Sequence, residues 1–201
     1  MDDVINLIEQ CKKGDMEAFN ALFKKYSVKA MRTAYLITGR RDLSEEIVQE
    51  SFIKCYKEIS KLKEPATFSL WFFRMLTRIS WRYCSKEKPH ISIDSLEENS
   101  SFLCSSGDRI NDTVENREVR QLIYTALCKL SKPLKTTVIL YYYNELTVRE
   151  ISKVMKCFEG TVKSRLYHAR KLICKELGRK EFEGYNFNKL TGKECSAGAK
   201  F

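Results

Sequence analysis

The sequence predicts an all-α fold: two small helical domains joined by a flexible acidic linker, the second containing a helix-turn-helix. Three observations predict it. Apolar residues recur every three or four positions over most of the chain, the spacing that lines one side of a helix. Only 8 Gly and 3 Pro punctuate 201 residues, which leaves few helix breakers. A polar stretch around Glu97-Glu98-Asn99-Ser100-Ser101 and Ser105-Ser106-Gly107-Asp108 separates two periodic runs and shows little periodicity of its own.

The first domain, residues 1–88, reads as four helices over about Val4–Gly14, Met16–Thr38, Ser44–Ile59 and Phe68–Ser85. Breaks fall at Gly14-Asp15, from Gly39 to Asp42, and at Lys63-Glu64-Pro65. Residues 89–116 read as the linker. The second domain, residues 117–177, follows with helices at about Glu118–Leu130, Leu134–Tyr143, Val148–Met155 and Thr161–Leu177. Pro133 stands at a helix start, where its missing N–H costs little. Residues 178–201 hold few aliphatic side chains and are expected to be a disordered tail.

The last two helices flank a tight turn. Thr147 with Glu150 three residues later is a capping-box signature, Ile151 and Val154 supply an apolar side, and Lys156 to Gly160 interrupts the pattern. On the helix that follows, Val162, Leu166, Ala169 and Ile173 recur at helical spacing and face inward. Lys163, Ser164, Tyr167, His168 and Lys171 then look outward, and such a face of cations and hydrogen-bonding groups suits a DNA groove.

Charge agrees. Residues 1–88 carry a net +5 and residues 119–177 a net +8, while 89–118 carry −5, so both domains suit a phosphate surface and the connector does not. The eight cysteines lie far apart with no C-x-x-C pair, which argues against zinc. Cys55, Cys128 and Cys174 fall within apolar helical patterns and read as small buried thiols. No segment resembles a signal peptide, and no run approaches the roughly 20 apolar residues of a membrane span. A reduced cytoplasmic protein without membrane insertion or cofactor is expected. With His90 and His168 as the two histidines and no carboxylate or nucleophile constellation, an enzyme is not expected.

Two helices of the first domain carry residues outside their apolar stripes. On Ser44–Ile59 the stripe is Ile47, Val48, Phe52, Cys55, Tyr56 and Ile59, leaving Gln49, Glu50, Ile53 and Lys57 elsewhere. On Phe68–Ser85 it is Phe68, Trp71, Phe72, Met75, Leu76, Ile79 and Tyr83, leaving Leu70, Phe73, Arg74, Thr77, Arg78 and Trp81 outside. Aromatic surface beside guanidinium groups fits single-stranded DNA, whose bases stack on rings while cations track the backbone. For Trp81, contact with another helix competes with that reading.

The run Gly160-Thr161-Val162-Lys163-Ser164-Arg165-Leu166 with Ala169-Arg170 resembles the DNA-binding region of bacterial RNA polymerase sigma factors of the sigma-70 family, extracytoplasmic-function (ECF) group. Asp42-Leu43-Ser44-Glu45-Glu46-Ile47-Val48-Gln49-Glu50 through Tyr56 is similar to the segment by which these factors grip core RNA polymerase. Phe68-Ser69-Leu70-Trp71-Phe72-Phe73-Arg74-Met75 resembles their promoter-melting helix. The resemblance spans roughly residues 10 to 177 and implies a region 2-like first domain and a region 4-like second one. It implies polymerase contacts at Gln49, Glu50 and Ile53. Melted minus-ten DNA would meet Phe73, Arg74, Thr77, Arg78 and Trp81, with a flipped base held by this helix and the loop from Ser60 to Thr67; Arg78 departs from a common asparagine of relatives. The minus-thirty-five duplex would meet Lys163, Ser164, Tyr167 and His168 at or near base edges, with Arg149, Arg165, Arg170 and Lys171 on flanks or ends, at phosphates or paired with Glu150. The implied partners are core RNA polymerase, promoter DNA as duplex and single strand, and an anti-sigma factor. The alternative is a self-sufficient helix-turn-helix regulator whose amino-terminal domain dimerises or binds an effector.

Overall fold

The computed structural model describes residues 2–86 and 122–177, and all regular structure among them is helical. The linker and tail expected at 89–116 and 178–201 lie outside the described residues. The first domain comprises α1 (Asp2–Lys12), α2 (Met16–Thr38), α3 (Arg41–Glu58) and α4 (Phe68–Lys86). The second comprises α5 (122–128), α6 (Lys132–Val138), α7 (Val148–Met155) and α8 (Glu159–Glu176).

The breaks between helices are made by the residues that sequence marks. The Asp15 carboxylate accepts from the Glu17 and Ala18 amides at 2.9 and 3.2 Å, capping donors that α2 leaves without partners. Gly39 ends α2 in the left-handed region at φ 75°, where a Cβ is disfavoured, and its amide donates to the Tyr35 carbonyl. α3 begins at Arg41, before the expected Ser44, because Ser44 is buried and its hydroxyl donates back to the Arg40 carbonyl at 2.5 Å.

Ile8, Leu22, Ile47, Cys55, Phe72 and Leu76 have no exposed surface and form the centre of the first domain. Around them Phe52, Phe68 and Phe72 meet Phe19, Phe23 and Tyr26 edge to face, as in Phe23–Phe52 at 4.7 Å, while Phe52 and Phe72 meet tilted at 4.9 Å. Burial pushes the Cys55 thiol up to about 12, so it stays an inert apolar filler. Cys174 departs from expectation: it is exposed, because its neighbour Ile173 takes the inward position on α8.

In the second domain α6 does not run on as one α-helix to Tyr143. Its last turn, Ile139–Tyr143, widens to a π-turn, and Asn144 donates five residues back to Ile139. Leu140, Leu146, Ile151, Val154, Val162 and Leu166 close the core that holds α7 and α8 together. The capping box forms: the Glu150 amide donates to the Thr147 hydroxyl at 3.2 Å while the Thr147 amide donates to the Glu150 carboxylate at 2.8 Å. Thr147→Ala is expected to destabilise the second domain by about 1 kcal/mol, read as an earlier urea midpoint at unchanged slope.

The two domains touch. α4 packs on α7, and α2 packs on the π-turn and α6. Leu70 of α4 and Leu36 of α2 join the apolar clusters of the second domain. The Trp81 indole N–H donates to the Thr136 hydroxyl at 3.0 Å, the Asn144 amide to the Thr33 hydroxyl at 2.9 Å, and the Lys132 ammonium to the Cys84 carbonyl at 2.8 Å. The rings of Tyr35 and Tyr124 stack across the same junction at 5.8 Å.

Candidate nucleic-acid interface

The helix-turn-helix comes from two local choices. Lys156 adopts the left-handed conformation at φ 51°, which ends α7 and turns the chain sharply, and Phe158 then starts α8 without any side-chain cap. On α8, Val162, Leu166, Ala169 and Ile173 are buried and Lys163, Ser164, Tyr167, His168 and Lys171 are exposed, as the spacing predicts. Tyr167 and His168 meet edge to face at 5.5 Å. Arg149 is exposed on α7. Arg165 and Arg170 are half-buried instead. The first reaches Cys157 Sγ at 3.6 Å, and the second donates to the Tyr142 hydroxyl at 2.6 Å with its guanidinium over that ring. Arg165 ties α8 to the turn and Arg170 ties it to the π-turn, so of the cations expected at DNA the exposed ones are Arg149, Lys163 and Lys171.

A second polar surface lies between α3 and α4. A groove of about 470 Å³ is lined by Lys54, Glu58, Trp71, Arg74, Met75, Arg78, Ile79 and Arg82. Arg74, Arg78 and Arg82 succeed one another at i, i+4 and i+8 and therefore stand in one row. Arg78 is exposed, and the Nε of Arg74 is buried with no hydrogen-bond partner. The Arg82 guanidinium pairs with the Glu50 carboxylate, which holds the carboxyl below the usual carboxylate range. Glu50 thus sits at the end of the groove, tied to α4, while Gln49 and Ile53 stay exposed.

Three residues expected at melted DNA are elsewhere. Phe73 is 1% exposed within the first-domain core and Thr77 is 2% exposed. Trp81 is half-buried and bonded to Thr136, the helix contact that competed with DNA in the sequence. The physical reason is that α4 is buried on more than one side: Phe73 joins the first-domain core beside Phe72, while Leu70 and Trp81 meet the second domain. Conversely, Trp71 and Tyr56, read as core, are not buried: Trp71 lines the groove, and Tyr56 is 45% exposed beside Phe19 at 5.1 Å. Arg82 was legible from the row it shares with Arg74 and Arg78. Phe158 is 87% exposed and carries no signal in an apolar periodicity.

Residues 22–89 match the family model for Sigma-70 region 2, and residues 120–173 match the model for Sigma-70, region 4. The chain is 30% identical over 176 residues to the ECF RNA polymerase sigma factor SigW of Bacillus subtilis (strain 168), covering 85% of this chain and 94% of that protein. It is 29% identical over 173 residues to the ECF RNA polymerase sigma-E factor of Haemophilus influenzae, covering 83% and 91%. Among solved structures, the fold matches CnrH in complex with the cytosolic domain of CnrY, with TM-score 0.66, 16% identity, and 89% and 99% of the two chains covered. It also matches the sigma factor RpoE in complex with the anti-sigma factor NepR from Bartonella quintana, with TM-score 0.62, 18% identity, and 81% and 98% covered.

Proposed function

Because the chain belongs to the sigma-70 family of RNA polymerase sigma factors, within its ECF group, we propose that it binds core RNA polymerase, directs it to specific promoters and helps open the DNA there, under the control of an anti-sigma factor. The observation that carries this reading is the pair of unlike surfaces on one chain. The outward face of α8 is a duplex reader: Lys163 donates to guanine acceptors, Ser164 donates or accepts, and Tyr167 and His168 pack at base edges, while Arg149 and Lys171 take phosphates. The groove of Trp71, Arg74, Arg78 and Arg82 is a single-strand reader, with an indole for stacking and a guanidinium row for the backbone. Opening by capture of unpaired bases needs no catalytic group.

Polymerase contact is assigned to the exposed face of α3 at Gln49 and Ile53, extended by the exposed rings of Tyr56 and of Phe23 on α2. Glu50 contributes through its pairing with Arg82. The solved complex of RpoE with an anti-sigma factor supports assigning this chain a regulator of the same class.

The test is capture of bacterial core RNA polymerase by the purified protein, followed by permanganate footprinting of promoter DNA. Capture, with thymine reactivity in the mixture only, is the expected result. Tight duplex binding by the protein alone without polymerase capture would instead mean a self-sufficient regulator. Lys163→Ala with Ser164→Ala is expected to lower transcription from the cognate promoter on the order of 10- to 100-fold while sparing polymerase capture, since each good base contact discriminates by about 1–3 kcal/mol. Loss of capture in that variant would contradict the division of labour.

A further inference from the structure

Phe158 stands at the N-cap of α8, 87% exposed, with no cap hydrogen bond, although its carbonyl already accepts from the Val162 amide at 3.2 Å. Two local rules fail there at once. An N-cap favours Ser, Thr, Asp or Asn, and a large ring left in water forgoes the gain of burial. Such disagreement between local preference and structure is expected where a residue serves a partner. The site's surroundings indicate which partner. Exposed cations precede and follow it in the chain at Lys156 and Lys163, Glu159 is exposed next to it, and a side chain at Gly160 would meet nothing within 4 Å. An exposed ring on a cationic stretch with open backbone fits a DNA groove better than an apolar protein pocket. The amino-terminal end of the second helix is also the end that a helix-turn-helix presents to base edges.

We propose that Phe158 reads thymine, packing its ring on the C5-methyl group at one position of the upstream element; the inference rests on the assignment of α8 as the duplex reader. Thymine alone among the bases offers an apolar group in the major groove, and it is the group that a phenylalanine ring can select. Glu159 next to it repels phosphate, which favours a position over the bases rather than along the backbone.

The experiment uses the full chain with bacterial core RNA polymerase. Wild type and Phe158→Ala each select from promoter DNA randomised across the upstream element, and each thymine of the enriched sequence is then replaced in turn by deoxyuridine. For wild type, one replacement is expected to weaken binding about fourfold, the factor that burial of one methyl-sized group supplies. Phe158→Ala should bind the thymine DNA correspondingly less well and ignore that methyl, and Phe158→Leu should restore the sensitivity in part. Unchanged circular dichroism is expected of both variants, since the residue is 87% exposed. Indifference of wild type to every deoxyuridine, or equal methyl sensitivity in Phe158→Ala, would overturn the proposal; a loss of affinity without methyl dependence would point to a polymerase or backbone contact and overturn it too. If polymerase is captured but no upstream sequence is enriched, α8 is not a reader and the inference falls. If polymerase is not captured at all, the sigma reading falls first, and with it this one.

Discussion

Arg74→Glu with Arg78→Glu is expected to abolish promoter opening, lowering permanganate reactivity on the order of 100-fold or more, while polymerase capture persists. The two guanidinium groups belong to one row in the α3–α4 groove, beside Trp71. Each contact to an unstacked base or its backbone is worth about 1–3 kcal/mol, and reversal replaces attraction by repulsion at both positions. Arg74 is half-buried, and its Nε has no partner within the protein, so its replacement could disturb packing as well. Arg78 is exposed, so Arg78→Glu alone leaves the fold intact and should still remove much of the activity. Normal opening by the double variant would show that the melted strand takes another route.

Phe72→Ala is expected to remove about 3–5 kcal/mol from the first domain, the usual cost of emptying a buried phenylalanine site. Phe72 has no exposed surface and touches the rings of Tyr26, Phe52, Phe68 and Phe73, so the hole opens at the meeting point of α2, α3 and α4. Against a total stability of roughly 5–15 kcal/mol this is a large share. Urea unfolding followed by circular dichroism should show a much earlier transition, and polymerase capture should fail on warming before DNA recognition by α8 does. A shift of less than about 1 kcal/mol would mean that neighbouring rings relax into the space.

Periodicity was sufficient where a helix has one inward face. On α8, Val162, Leu166, Ala169 and Ile173 alternate cleanly with exposed Lys163, Ser164, Tyr167 and His168, and structure and spacing agree residue by residue. α4 defeats the same argument because it is buried on more than one side, by the first-domain core that takes in Phe73 and by the second domain, distant in sequence, and nothing local distinguishes Phe73 and Thr77 from solvent-facing residues. The error ran the other way for Tyr56, whose position in the stripe predicts burial while the bundle leaves its outer edge uncovered. Arg170 was read as a phosphate ligand because its partner, the Tyr142 hydroxyl, lies on the π-turn. A π-turn follows from how a helix end must join the next element, and propensity does not report it.

The junction between the domains has a thermodynamic consequence. Hydrogen bonds from Trp81, Asn144 and Lys132 cross it at about 1 kcal/mol each, but Asn144 Oδ1, which belongs to the junction, is buried without a partner at a cost of about 1–3 kcal/mol. That cost offsets part of what the hydrogen bonds and the apolar contacts of Leu36 and Leu70 contribute to docking. The undocked fraction falls as what remains grows. A ligand that needs the face of α4 holding Trp81 sees only this fraction, and its apparent dissociation constant rises by the reciprocal of it. A molecule that clasps the docked form shifts the same equilibrium the other way without touching a single DNA-reading side chain.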